Sequence, residues 1–475
     1  MFALTHRHRA RRTGPGLRAA RGAALIAGGS AIALLAGCGT SAPAAGGSSA
    51  SSGSSSSASP SASVLAGGSC QNSSATKITF WAWVPGMDRA VNEYNKTHSS
   101  VCVQLEDPGA GNAEYTLLNN AMKAGSGAPD VAEMEFDELP SFEVQHYLVD
   151  LSKYGANNYK SKFVPWAWSQ VSRGSAVYAM PSDFGPMGFY YNAPLLKKYK
   201  VTPPATWADF ATAAAKLHQA DPSAYLLNFS PNDLQWLMSI MGQAGAWPFD
   251  YNGGSSVKIN WTGPAEMKFA AYWQKLLDSH AISTFNDAGT LVDTNMDKGI
   301  IAAALYSAWA PSYFAPNAKQ TNGKWRAAGL PQWSSGAQVG ADWGGSTYPV
   351  FSQSQHPAQA AAFSEWLTAT DASWNIVKTP PSSLFPTYVP LLTTSSFKGL
   401  TYPISGSSHP NAVFTQHATQ IPATPWPPFM TQALTQANTT FGGVLTGKET
   451  LAQAFRSFQS QETAYAKAQG FTVTG

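Results

Sequence analysis

Four carboxylates fall within one short stretch, at Glu133, Glu135, Asp137 and Glu138. Paired acids across a cleft are what glycoside hydrolysis needs, one as general acid and one as base or nucleophile. Strand alternation sends Glu133, Glu135 and Asp137 the same way, and a solvated or turn role accounts for them. The sequence has no Gly-x-Ser-x-Gly elbow, no His-Glu-x-x-His pattern and no phosphate loop. It has no Cys-x-x-Cys pair and no His-rich metal spacing either. The chain therefore reads as a non-enzyme, with no catalytic residue, no cofactor and no metal. Aromatic surface is what it has in quantity, with 16 Trp and 18 Tyr against only 12% charged residues. Typical globular chains carry about 25% charged residues. Flat rings cover apolar C–H faces and a few fixed polar groups take hydroxyls. The composition thus suits an uncharged polar ligand.

The three cysteines divide by context. Residues 1–21 hold six arginines (Arg7, Arg9, Arg11, Arg12, Arg18 and Arg21) and no acid, and a charge-free run extends from Gly22 to Gly37. That run is short for a bilayer span, and the basic, apolar and small-residue order is that of a secretory signal peptide. Its end, Leu35-Ala36-Gly37-Cys38, resembles the bacterial lipobox. The resemblance implies cleavage before Cys38, acylation of its thiol and an anchor on the outer face of the cell membrane. Residues 39–69 are almost entirely Gly, Ser, Ala, Thr and Pro. They cannot bury enough apolar surface to fold and should act as a tether spanning roughly 30 Å. Cys70 and Cys102 are then an even pair in an oxidising compartment, which predicts a disulfide. Without the leader, 24 basic residues face 27 acidic ones, and no basic block argues for a nucleic-acid partner.

The remaining 70–475 segment is long for one core and suggests two lobes. Lys77–Trp83, Val101–Leu105 and Asp130–Glu135 read as strands, with helices over 87–97 and 113–124 between them. Such alternation predicts a parallel sheet. Ligands bind at the carboxyl ends of such strands, here the loops 81–87, 106–111 and 135–139. Trp81 and Trp83 close the first strand and are expected to part, one into the core and Trp83 into the cleft.

Several segments stand in a recognisable order, beginning with Ile78-Thr-Phe-Trp-Ala-Trp, Gly125-Ser-Gly-Ala-Pro-Asp-Val131 and Val177-Tyr-Ala-Met-Pro-Ser-Asp-Phe-Gly-Pro-Met-Gly-Phe-Tyr-Tyr-Asn192. Pro204-Ala-Thr-Trp-Ala-Asp-Phe210, Ile300-Ile-Ala-Ala-Ala-Leu-Tyr-Ser-Ala-Trp309, Ala328-Gly-Leu-Pro331 and Gly344-Gly345 continue the series. In this order the chain resembles the extracellular solute-binding proteins of ABC importers, family 1, the sugar-binding group that includes maltose-binding protein. The resemblance implies an α/β, two-lobed periplasmic-binding-protein fold of type II. Each lobe is expected to be a mainly parallel sheet flanked by helices, with the ligand cleft between lobes. By that analogy lobe I is 70–185 plus 341–385 and lobe II is 186–340 plus 386–475. Gly185, Gly188, Gly344 and Gly345 stand where the crossing segments would bend. The ligand contacts it implies are Trp83, Phe136, Asp137, Asp183, Trp236, Trp309, Trp343 and Tyr388, while Trp247, Trp366 and Trp426 read as packing.

The function this resemblance implies is capture of a carbohydrate, mono- or oligosaccharide, by lobe closure and its delivery to the transmembrane permease by a monomeric receptor. The first loop, Val84-Pro-Gly-Met-Asp88, departs from maltose-binding protein at its charged contacts, so maltodextrin itself is not expected. Two other readings stand beside this one. The same fold could take a polyamine, a peptide or an organophosphate, or serve a sensor; a secreted glycoside hydrolase is the weaker one.

Overall fold

The computed structural model describes residues 70–285 and 291–475. The leader, the Cys38 site and the 39–69 tether lie outside the described residues.

Strand β1 (Thr76–Trp81) forms where Ile78 and Phe80 alternate inward, both wholly buried. Burying a side chain the size of Phe80 contributes about 2–3 kcal/mol. Helix α1 (Met87–Thr97) lays Ala90, Val91 and Tyr94 on the sheet at helical spacing. Strand β2 (Val101–Glu106) pairs in parallel with β1. Helix α2 (Asn112–Ala124) stops at Gly125, whose φ of 76° makes the left-handed cap glycine adopts most easily. Strand β3 (Val131–Ala132) pairs in parallel with the far side of β1, giving the order β2-β1-β3. The Cys70–Cys102 disulfide is present, with Cα atoms 5.4 Å apart, and ties residue 70 to β2.

The third strand is shorter than its sequence suggests. It breaks at Glu133, and β4 (Met134–Glu135) leaves for a second sheet with β5 (Met180–Pro181) and β9 (Ser346–Tyr348), in the order β4-β9-β5. These pairings are antiparallel, and the bridges Asp183–Pro386 and Pro186–Asp342 extend them. Three passes of the chain between lobes thus lie side by side. The other lobe is built on β6 (Met187–Asn192), β7 (Ala303–Ser307) and β8 (Trp325–Ala328), with β6 central. There β6 runs antiparallel to both neighbours, while Tyr225–Ile301 and Asn228–Ser283 bridge in parallel. The all-parallel pattern therefore belongs to the first lobe. In the second, β6 arrives directly from the crossing and so enters its sheet in the opposite sense.

Two more helices matter for the site, α3 (Leu234–Gln243) and α5 (Met430–Thr440); between them in sequence α4 (Pro357–Ala369) packs on the first lobe. Asp233 caps α3 by accepting from the Trp236 N–H at 2.9 Å. The second lobe's core is aromatic, with Trp207 5.3 Å from Trp273 and Phe229 stacked on Trp273 at 4.6 Å. Among the described residues no helix is long and apolar enough to cross a membrane.

Candidate functional site

Two adjoining hollows of about 530 and 510 Å3 open between the lobes, and Glu135, Asp233, Gln235, Trp309 and Trp343 line both. Their floor is the crossing sheet. Gly344 and Gly345 sit there with φ of 78° and 102°, and a Cβ on Gly345 would lie 2.6 Å from the Phe184 Cα. Only a residue without a side chain lets the crossing segments pass this close.

Aromatic rings form the walls. Trp309 and Trp343 lie 4.9 Å apart at 55°, and Tyr306 meets Trp343 at 4.9 Å, making one three-ring cluster. The Trp309 Nε1 donates to the Trp343 carbonyl at 3.0 Å, which fixes its ring plane. Across the hollow Trp83 meets Tyr115 edge-on at 6.2 Å. Aromatic faces and edges held this way suit the C–H faces of a ring-shaped guest.

Carboxylates form the polar part. Glu133, Glu135, Asp183 and Asp233 line the hollows, and among the described residues no Lys, Arg or His does. Of the solvated or turn role expected for the acid row, the solvated part is wrong, since Glu133 and Glu138 are wholly buried and Asp137 nearly so, while Asp137 and Glu138 do stand in the turn after β4. Glu133 holds the first loop in place. Its Oε2 accepts from the Trp83 and Val84 N–H groups at 3.1 and 3.2 Å, and its Oε1 accepts from Ser346 Oγ at 3.0 Å. Burial, then the nearby Asp183 charge, pushes its carboxyl up to about 8. Glu135 accepts from the Tyr115 hydroxyl at 3.2 Å, and its own N–H donates back to that oxygen at 3.1 Å. Burial and the Asp137 charge raise it to about 8. Asp183 is raised to about 7 by burial, and its buried Oδ1 accepts no hydrogen bond. That oxygen is itself shut off from solvent, although Asp183 lines the second hollow.

The predicted contacts separate into two groups. Trp83, Asp183, Trp309 and Trp343 line the hollows. Asp137 lies just behind, accepting from Gln235 Nε2 at 2.6 Å. Phe136, Trp236 and Tyr388 turn inward. Phe136 comes directly after Glu135 and so takes the opposite face, packing on Trp166 at 5.2 Å. Trp236 donates to the Leu305 carbonyl at 2.9 Å from the buried side of α3, while its neighbours Asp233 and Gln235 face the cleft. Tyr388 packs against Phe163 at 6.3 Å. Trp81 and Trp83 do part, but not by alternation, which puts residues two apart on one face. The strand ends at Trp81, whose Nε1 donates to Glu106 at 2.9 Å, and the loop turns Trp83 away. Sequence reasoning misses Glu133, Glu135, Tyr115, Gln235 and Tyr306 as cleft residues. Only the shared face of Glu133, Glu135 and Asp137 hints at them.

Several known proteins are similar. The arabinooligosaccharide-binding protein of Bacillus subtilis (strain 168) is 25% identical over 317 residues, which is 63% of this chain and 72% of that protein. The ABC transporter associated binding protein from B. animalis subsp. lactis Bl-04, in complex with beta-1,6-galactobiose, is 31% identical with a TM-score of 0.74, covering 84% of this chain and all of that one. The galacto-N-biose-/lacto-N-biose I-binding protein from Bifidobacterium longum, in complex with lacto-N-biose, shares the fold at a TM-score of 0.73 and 24% identity, covering 84% and 99%. The family model of bacterial extracellular solute-binding proteins matches residues 83–374, spanning parts of both lobes and the crossing sheet, and the chain belongs to that family.

Proposed function

We propose that this chain is the carbohydrate-binding receptor of an ABC importer, held outside the cell by a lipid on Cys38, and that it binds without catalysis. The observation that carries the reading is a cleft walled by Trp83, Tyr306, Trp309 and Trp343, with four carboxylates and no cation among the described residues of its lining. Rings cover the apolar faces of a sugar, and carboxylates accept from its hydroxyls. The lobes are 70–185 with 341–385, and 186–340 with 386–475. Ligand contacts to both favour the closed form by their differential affinity, and the closed monomer delivers its guest to the permease. Two similar proteins of known structure are described in complex with neutral disaccharides, which supports this class.

Acids and rings without a cation also suit an organic ammonium, so a polyamine is the second reading. The same lining speaks against an organophosphate, which needs positive partners. Titration of the full chain with a panel of neutral glycans and with spermidine, by tryptophan fluorescence and calorimetry, separates the two. Saccharide binding with no spermidine response is expected. Spermidine binding without any saccharide binding would overturn the sugar assignment, and steady release of reducing ends would overturn the absence of catalysis.

A further inference from the structure

The cleft does not end at its aromatic cluster. Helix α2 presents Asn112 and Tyr115 to the first hollow, and Thr116, Asn119, Asn120 and Lys123 to a further hollow of about 550 Å3. These positions recur at three and four residues, so they form one continuous stripe down the helix. Helix α5 does the same from the opposite wall. Leu434 and Asn438 face the first hollow, and Thr431 and Gln432 the further one. The two stripes run antiparallel, since the N-terminal end of α2 shares a hollow with the C-terminal half of α5. At the base of the gap Thr431 Oγ1 donates to Glu138 Oε2 at 2.7 Å. From Asn112 to Lys123 the wall is about 16 Å long at the helical rise.

The chemistry of this extension differs from that of the cleft floor. Among the described residues Lys123 is the sole charged side chain on the further hollow's lining, and the other α2 and α5 side chains there are amides and hydroxyls, which both donate and accept. Half-buried Tyr465 and Phe471 close its far end and pack on Phe429 at 5.8 and 6.1 Å. A neutral, hydroxyl-bearing chain with apolar ring faces matches that lining. A single small sugar in the aromatic cleft would leave it unused.

We infer that the ligand is an oligosaccharide of at least three units, whose chain leaves the aromatic cleft and lies along the gap between α2 and α5. This inference rests on the carbohydrate reading of the cleft. The test is calorimetry of the full chain with neutral gluco-, galacto- and arabino-oligosaccharide ladders of two to six units. In the best-binding series, affinity should rise about tenfold or more between two and four units. Thr116→Trp, at an exposed position that fills the gap, should bring the four-unit affinity down to the two-unit value and leave the latter unchanged. Gln432→Ala, a milder change on the opposite wall, should lower only the four-unit affinity, about threefold or more, and does not depend on the tryptophan variant folding. Equal affinity across the ladder, or equal loss for short and long members in both variants, would overturn the extension while leaving sugar binding intact. Failure of every saccharide to bind would overturn both.

Discussion

Tyr115→Phe removes one oxygen and tests how the acid row is held. That hydroxyl donates to Glu135 Oε2 and accepts from the Glu135 N–H, and the ring is 1% exposed. Losing the acceptor leaves an N–H without its partner, at about 1–3 kcal/mol, and losing the donor removes a bond worth about 1.5–3 kcal/mol when the carboxyl is charged and about 1 when it is neutral. The Glu135 carboxyl is raised to about 8 from 4.5. A raised carboxyl makes the folded chain hold a proton the unfolded chain gives up, so its contribution is complete below about 4.5 and lost as pH rises through about 8. The tyrosine opposes that loss by favouring the charged form. The variant should therefore be destabilised by about 2–3 kcal/mol at pH 5.5 and about 3–5 kcal/mol at pH 9. With about 2 cal/mol/K per residue over roughly 400 residues, Tm should fall by about 3 °C at the lower pH and about 5 °C at the higher, read by calorimetry. A fall of equal size at both values would refute the role given to the Glu135 charge, and no fall at either would refute the hydrogen-bond pair.

Other outcomes are equally specific. Replacing Cys70 and Cys102 with alanine frees a 32-residue separation, and loop entropy predicts a loss of about 3–4 kcal/mol; an unchanged Tm against wild type would contradict it. Trp309→Ala should weaken sugar binding about tenfold or more. Trp236→Phe should leave affinity alone and cost about 1–3 kcal/mol of stability, because it orphans the Leu305 carbonyl; the reverse pattern would reassign both rings. Guest hydroxyls donating to Glu135 and Asp183 favour their charged forms, so binding near pH 7 should release protons. The apparent enthalpy should then differ between Tris and phosphate buffers, and identical enthalpies would rule out hydroxyl donation to these two.

Much of the first lobe is readable because its local signals agree. Ile78 and Phe80 alternate, Ala90, Val91 and Tyr94 share a helix face, and Gly125 supplies the turn that ends α2. The cleft is less readable because facing depends on tertiary placement. Trp236 and Gln235 are neighbours in sequence, yet α3 sends one inward and the other to the cleft. The acids mislead for a related reason. A row of carboxylates without lysines ordinarily belongs to water, and nothing local shows that Trp83 and Val84 amides, Ser346 and Tyr115 wait to receive it. Those partners stand between 20 and 213 positions away along the chain.

The hydrogen bonds from Gln235 to Asp137 and from Thr431 to Glu138 join α3 and α5 to the acid row behind the cleft. Moving either helix away from the acids breaks its bond, at about 1 kcal/mol or more each. Part of the resistance to opening on this side is therefore set by the chain itself and is there before any guest arrives. What a guest adds through its own contacts comes on top of that.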